Sequence, residues 1–92
     1  MTAKEAKEVS ESNRDKKIAH YYENAGKDRF VKKIERAITK AVVNGETTCR
    51  VVCWPIPREE RDTAIITYFD NLGYDIGSSN GVYSVRFMPM KY

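Results

Sequence analysis

The feature that most constrains this sequence is a run of apolar residues at helical spacing near its centre. Apolar side chains recur there every three or four residues, the pattern of an amphipathic helix with one buried face: Phe30, Ile34, Ala37, Ile38 and Ala41. Asp28 is placed to cap the start of this helix. Asn44 and Gly45 end it, because both tolerate the left-handed conformation. A helix with one apolar face needs a second layer to pack against.

A strand is predicted directly after this helix. Residues 47–54 are rich in β-branched side chains, and Pro55 and Pro57 stop the strand because proline cannot donate to a ladder. Pro57 is suited to the first position of a third helix, whose first turn is acidic. The buried face of that helix is predicted to contain Ala64, Ile65, Tyr68, Phe69 and Leu72.

Two further strands are predicted at residues 74–76 and 82–88, with Asn80-Gly81 as a hairpin signal in the loop 77–81. The fold class is therefore α+β, in the order α-α-β-α-β-β. We expect a three-stranded mixed sheet with the helices packed mainly on one face. The third helix makes strands one and two parallel to each other. The sequence leaves open whether the third strand lies between them or at an edge; we favour the central position, because that arrangement would satisfy the most backbone groups.

The N-terminal segment, residues 1–25, is predicted to be a polar helix. Thr2 and Glu5 have capping-box spacing, and Gly26 suits the C′ position. Its apolar content before Ile18 is so thin that the helix either frays or packs against a partner. The length of 92 residues supports one domain, 1–92, and excludes most enzyme scaffolds.

The cysteine content and hydropathy indicate a cytoplasmic protein. Cys49 and Cys53 are four apart on one strand, ~13 Å along it, which is too far for a disulfide, so both are expected to be buried thiols. His20 is the only histidine, and we predict no metal and no cofactor. No apolar run approaches the ~20 residues of a membrane span, so no membrane contact is expected.

Strand alternation predicts an outer sheet face that carries Val52 and four candidate partner-binding residues: Arg50, Trp54, Arg86 and Met88. An apolar patch rimmed by arginine is typical of an interaction surface, either with another protein or in a homodimer. The alternative is that the first helix folds over this face and covers Trp54.

Charge is concentrated in one segment. The formal net charge is +3, but residues 14–40 hold nine basic and four acidic side chains, a net +5. Five of the basic residues repeat at three- and four-residue steps on the second helix, opposite its apolar face, and we call them the basic stripe: Arg29, Lys32, Lys33, Arg36 and Lys40. The basic stripe either binds nucleic acid, another anionic ligand or an acidic protein, or is simply the solvated side of the helix.

No residue pattern predicts catalysis. His20 has no serine or cysteine placed in sequence to be activated by it, and the glycine-bracketed loop 77–81 does not precede a helix, as a phosphate cradle would. We therefore predict a protein that is not an enzyme.

The sequence resembles small phage-encoded proteins in several stretches. These are the opening residues 1–6, the turn 44–48 that leads into a strand, and the closing segments 71–76 and 82–87. The resemblance implies an accessory protein made early in infection, acting in the host cytoplasm and binding a host protein such as a defence factor. It supplies no functional residues. The alternatives are a basic protein that binds nucleic acid or another anionic ligand, and a small virion or assembly component.

Overall fold

Three α-helices and three β-strands follow one another in the predicted order. The computed structural model describes residues 1–87. The helices are α1 (Ala3–Glu23), α2 (Arg29–Val43) and α3 (Glu59–Asn71), and the strands are β1 (Thr48–Val52), β2 (Asp75–Ser79) and β3 (Val82–Arg86). A short 3₁₀ turn, Ala25–Lys27, joins α1 to α2. The α+β class and the order α-α-β-α-β-β are confirmed.

The strands form one sheet in the order β1-β3-β2. The prediction that the third strand is central is confirmed. The prediction of a mixed sheet is wrong, because both β1 and β2 pair antiparallel with β3. β1 and β2 run in the same direction, as the α3 crossover requires, but they lie on opposite sides of β3 and form no parallel ladder.

The hairpin between β2 and β3 is tighter than the sequence suggested. Asn80 and Gly81 both have positive φ, 51° and 82°, as a two-residue type I′ turn requires. Residues 77–79, predicted to be loop, pair with Ser84, Tyr83 and Val82. The short turn fixes this register and thereby extends β2 through small residues that have little strand propensity.

The core lies between the inner face of the sheet and the helices α2 and α3, which confirms that the helices pack on one face. Its buried members come from α2, α3, the sheet and the 3₁₀ turn: Ala25, Phe30, Val31, Ile34, Ile38, Val51, Cys53, Ile65, Phe69, Tyr83 and Val85. Most of the helix positions predicted from apolar periodicity are buried, whereas Ala37 and Tyr68 are only partly buried and Leu72 is exposed.

An ion pair ties the start of α2 to α3. Asp28 caps α2 by accepting a hydrogen bond from the Phe30 amide at 2.8 Å, as predicted. The same carboxylate accepts two hydrogen bonds from Arg61, at 2.8 and 2.7 Å, and the Arg61 guanidinium lies 4.0 Å from the centroid of the Phe30 ring. Burial alone would raise the pKa of Asp28, but the hydrogen bonds from Arg61 and Phe30 outweigh it and lower the pKa below 3.8.

A second polar contact fixes α3 to the sheet. Asp62 accepts hydrogen bonds from the Tyr83 hydroxyl at 2.7 Å and the Ser78 hydroxyl at 3.0 Å. Burial of the Tyr83 ring, together with its hydrogen bond to Asp62, raises the pKa of Tyr83 well above 10. The central strand and β2 are thereby both attached to the first turns of α3.

Helix α1 packs along α3 and runs parallel to it. Near its middle Arg14 forms an ion pair with Glu59, and near its end the Tyr22 hydroxyl accepts a hydrogen bond from Asn71 at 2.9 Å. No residue of α1 is buried. Since Arg14 already lies at the start of α3, the preceding residues of α1 extend beyond α3. This overhang is consistent with the 56 Å long dimension of the molecule.

The two ends of α1 match the sequence pattern only in part. The Thr2 hydroxyl accepts a hydrogen bond from the Glu5 amide at 3.1 Å, which confirms Thr2 as the N-cap. Gly26 does not adopt the predicted left-handed C′ conformation, because the chain continues through the 3₁₀ turn directly into the Asp28 cap.

Candidate binding surface

The sheet face opposite the helices is uncovered within residues 1–87. Strand register arranges its residues in three rows, each crossing from β1 through β3 to β2: Thr48, Arg86, Asp75; Arg50, Ser84, Gly77; and Val52, Val82, Ser79. Their neighbours along each strand point the other way, into the core or towards the helices. We call these nine residues together with Trp54 the outer face.

Trp54 is the one aromatic residue among the ten of the outer face. Cys53 donates its amide to the Gly81 carbonyl at 2.7 Å and is fully buried, so the alternation continues one residue past β1 and turns Trp54 outward. Trp54 is 73% exposed and Val52 is 56% exposed. The alternative that α1 covers Trp54 is wrong, because α1 lies along α3, where Tyr22 meets the Tyr68 ring edge-on.

Arg50 and Arg86 carry the positive charge of the outer face. Neither forms an ion pair with any residue that the structure describes. They flank a shallow depression of about 720 Å³ whose floor is formed by Gly77 and Ser84, where small side chains leave the sheet open. The fourth predicted partner-binding residue, Met88, lies outside the described residues. The structure therefore brings Arg50, Trp54 and Arg86 onto one surface.

The basic stripe lies on the exposed side of α2, as predicted, and its members have different surroundings. The Arg29 guanidinium lies 5.1 Å from the centroid of the Phe30 ring. Lys33 donates a hydrogen bond from Nζ to the Val52 carbonyl. Lys32, Arg36 and Lys40 are exposed and make no ion pair within the described part of the chain.

The contact between Lys33 and Val52 joins two surfaces that the sequence treated separately. The four residues 44–47 connect α2 to β1, so β1 returns alongside the helix that precedes it. Lys33 marks the point where the basic stripe meets the edge of β1. Arg36 and Lys40 follow it on the same side of α2 towards the connection. The sequence did not predict this junction, because no local pattern indicates that Lys33 contacts a carbonyl 19 residues further along the chain.

The cysteines provide no reactive site. Both are free thiols, Cys53 fully buried and Cys49 partly buried. Burial raises the pKa of Cys53, and burial together with the nearby Glu46 carboxylate raises that of Cys49, so neither is activated as a thiolate. No cluster of three metal-ligating side chains occurs among residues 1–87.

None of the helices that the structure describes is both long and apolar enough to cross a bilayer. The chain matches no protein-family model, and comparisons with curated proteins and with solved structures found no match.

Proposed function

We propose that this protein is a non-catalytic binding module. Its outer face docks on a partner surface that carries both apolar and acidic side chains. The observation that carries the proposal is Trp54, which is 73% exposed and lies on the same sheet face as Arg50, a face that no described helix covers. Tryptophan and arginine are the residue types that most often dominate the binding energy of protein interfaces. Charge selects the partner, since the outer face holds two arginines that form no ion pair among residues 1–87 and one acidic residue, Asp75.

An antiparallel sheet with one solvated face is common, and such a face is normally polar. The outer face differs from that pattern at one end. Val52, Val82 and Trp54 lie together near the end of β1, and Val52 and Trp54 are largely exposed. Docking would remove this apolar surface from water, a gross gain of roughly 25 cal/mol for each Å² buried, which must exceed the entropy lost on association.

The resemblance to phage-encoded proteins supports a more specific proposal about the partner. It is a host protein, such as a defence factor, that the module binds and modulates in the host cytoplasm. This part rests on the sequence resemblance alone and remains a prediction.

The test is to replace Trp54 and Arg86 together by alanine and to measure recovery of partner proteins from host extract. We expect the W54A/R86A variant to lose the partners that the unchanged protein retains, with its circular dichroism spectrum unaltered. A matched control, L72A/K4A, also removes one exposed apolar and one basic side chain, away from the outer face, and should retain them. Equal recovery by both variants would eliminate the outer face as the docking surface.

A second candidate function is nucleic-acid binding by the basic stripe. It is favoured by Lys32, Arg36 and Lys40, whose exposed charges have no acidic partner among residues 1–87. Binding to phosphates would weaken steeply with salt because counterions are released. Fluorescence anisotropy with labelled single- and double-stranded oligonucleotides at low and moderate salt tests it, and absence of binding at low salt would dispose of it.

A further inference from the structure

The β1 strand leaves one of its two edges unpaired. In the described part of the chain β1 pairs only with β3. On that side the Cys53 amide donates to the Gly81 carbonyl, and the Thr47 carbonyl accepts from the Phe87 amide. Backbone groups of an antiparallel strand alternate between its two edges. The N–H and C=O groups of Thr48, Arg50 and Val52 therefore point away from β3, at the open edge.

One of these outward groups already has a side-chain partner. Lys33 donates to the Val52 carbonyl, which leaves the outward groups of Thr48 and Arg50 without a hydrogen bond from any described residue. The contact also shows that cations of the basic stripe reach the level of the edge. Arg50 projects from the other face of the same strand, so the open edge is lined by positive charge on both sides.

We propose that an extended, acidic segment of the partner protein adds to the open edge of β1 as a fourth strand of the sheet. The inference rests on the proposed function and specifies how the partner is held. Main-chain hydrogen bonds to Thr48 and Arg50 supply affinity, as in other complexes formed by strand addition. Alternate side chains of the added strand face Arg50 and Val52 on one side and the basic stripe on the other.

Charge selects an acidic segment over a second copy of this chain. If β1 paired with β1 of another copy, the two Arg50 side chains and the two basic stripes would be brought together, and like charges on paired strands are destabilising. An acidic strand meets the same cations with favourable charge. Nucleic acid would meet the charge as well, but it lacks the regular main-chain donors and acceptors that the open edge can pair.

The test uses a fluorescently labelled eight-residue peptide in which glutamate and valine alternate, measured by anisotropy against the full chain. Two further peptides carry N-methyl groups either on the two central glutamates or on the two central valines. Because successive amides of a strand point to opposite edges, either the glutamate amides or the valine amides of an added strand face β1, but not both. We expect one N-methylated peptide to bind at least about tenfold more weakly and the other to bind within about twofold of the parent peptide.

Matched variants of the protein test the charge argument with the same peptide. R36Q/K40Q removes two cations from the basic stripe beside β1, and K4Q/K7Q removes two from the overhanging part of α1. The first pair should weaken peptide binding by at least about fivefold at low salt, and the second should leave it unchanged.

Each alternative outcome has a distinct meaning. Equal binding by the two N-methylated peptides would reject strand addition but leave docking on the outer face intact. The same conclusion follows if no peptide binds while W54A/R86A still loses partner recovery. Binding of oligonucleotides but not of peptides, together with partner recovery that W54A/R86A leaves unchanged, would overturn both proposals in favour of nucleic acid. Self-association of the protein without peptide, seen in sedimentation experiments, would identify a second copy of this chain as the occupant of the open edge of β1.

Discussion

The Asp28 carboxylate accepts three hydrogen bonds, one from the Phe30 amide and two from Arg61. It thereby caps α2 and holds Arg61 in a bidentate pair, and Arg61 in turn covers the Phe30 ring. The Asp28 side chain is only 9% exposed and that of Arg61 22% exposed, so the pair is screened from solvent more than a surface ion pair is. Loss of the Asp28 charge would leave Arg61 without its ionic partner.

The D28N variant should therefore lower the free energy of unfolding near neutral pH, by about 1–3 kcal/mol, because the amide cannot form the charged pair with Arg61. The folded pKa of Asp28 lies below its unfolded value of 3.8, so its contribution is present above that value and lost as the pH falls through the folded pKa. Urea unfolding at about pH 7 and about pH 2.5 should show the difference between native protein and D28N shrinking in acid. The exposed D70N variant serves as the control, and a gap that stays constant with pH would contradict this account.

Gly81 is constrained by both conformation and space. Its φ is +82°, and an added Cβ would lie 2.7 Å from the Cys53 carbonyl oxygen, a backbone atom that cannot move aside without disturbing the β1–β3 ladder. Gly45 has a similar φ of +76° but nothing within 4 Å of the equivalent position. A substitution at Gly45 therefore meets backbone strain alone, whereas one at Gly81 meets backbone strain and a steric conflict.

The G45A variant should lose about 1–2 kcal/mol of unfolding free energy from the left-handed conformation alone. The G81A variant should lose clearly more, since the steric conflict with Cys53 is added to the same strain. Chemical denaturation of both variants checks this comparison. Equal losses would mean that the hairpin turn can move away from Cys53 at no cost.

At the scale of elements, α1 is attached to the domain by its second half only. The described contacts between α1 and α3 begin at Arg14 and continue to Tyr22, and the preceding residues are exposed on all sides. The sequence predicted this division from the thin apolar content before Ile18. It offered fraying or a partner as explanations, and neither is tested by the fold of one chain.

Deletion of residues 1–12 should change the free energy of unfolding by less than about 1 kcal/mol, because these residues bury no apolar surface in the core. The Y22A variant is the contrasting control, since it removes the ring that contacts Tyr68 and the hydroxyl that accepts from Asn71, and it should destabilise more. Thermal or urea unfolding of the deletion variant and of Y22A measures both changes in unfolding free energy. A large loss on deletion would show that the overhang of α1 stabilises the fold.

The elements that were predictable from sequence are those with a local signature. Apolar spacing located α2 and α3, Asp28 marked a cap, and Asn80-Gly81 marked the hairpin. The extent of β2 was missed because Gly77, Ser78 and Ser79 have no strand pattern of their own and are strand only through pairing with β3. The hairpin signal implied the antiparallel β2–β3 ladder, whereas the antiparallel pairing of β1 with β3 was missed, since that pairing depends on contacts distant in sequence.

At the scale of the whole molecule, the charge is arranged around one edge of the sheet. The sequence located the basic stripe and the arginines of the outer face as two separate surfaces. In the structure Lys33 connects them at Val52, so that a single partner can contact both. This junction depends on the path of the chain from α2 into β1, which local patterns do not determine.

The order of the strands in the sheet also affects how the protein folds as it is made. β3 is the last of the three strands in sequence, yet it is the one to which both others are bonded. While the ribosome is still adding residues before Val82, β1 and β2 have no strand to pair with, and only the helices can form local structure. The whole sheet therefore assembles in a late step, after β3 has been added to the chain.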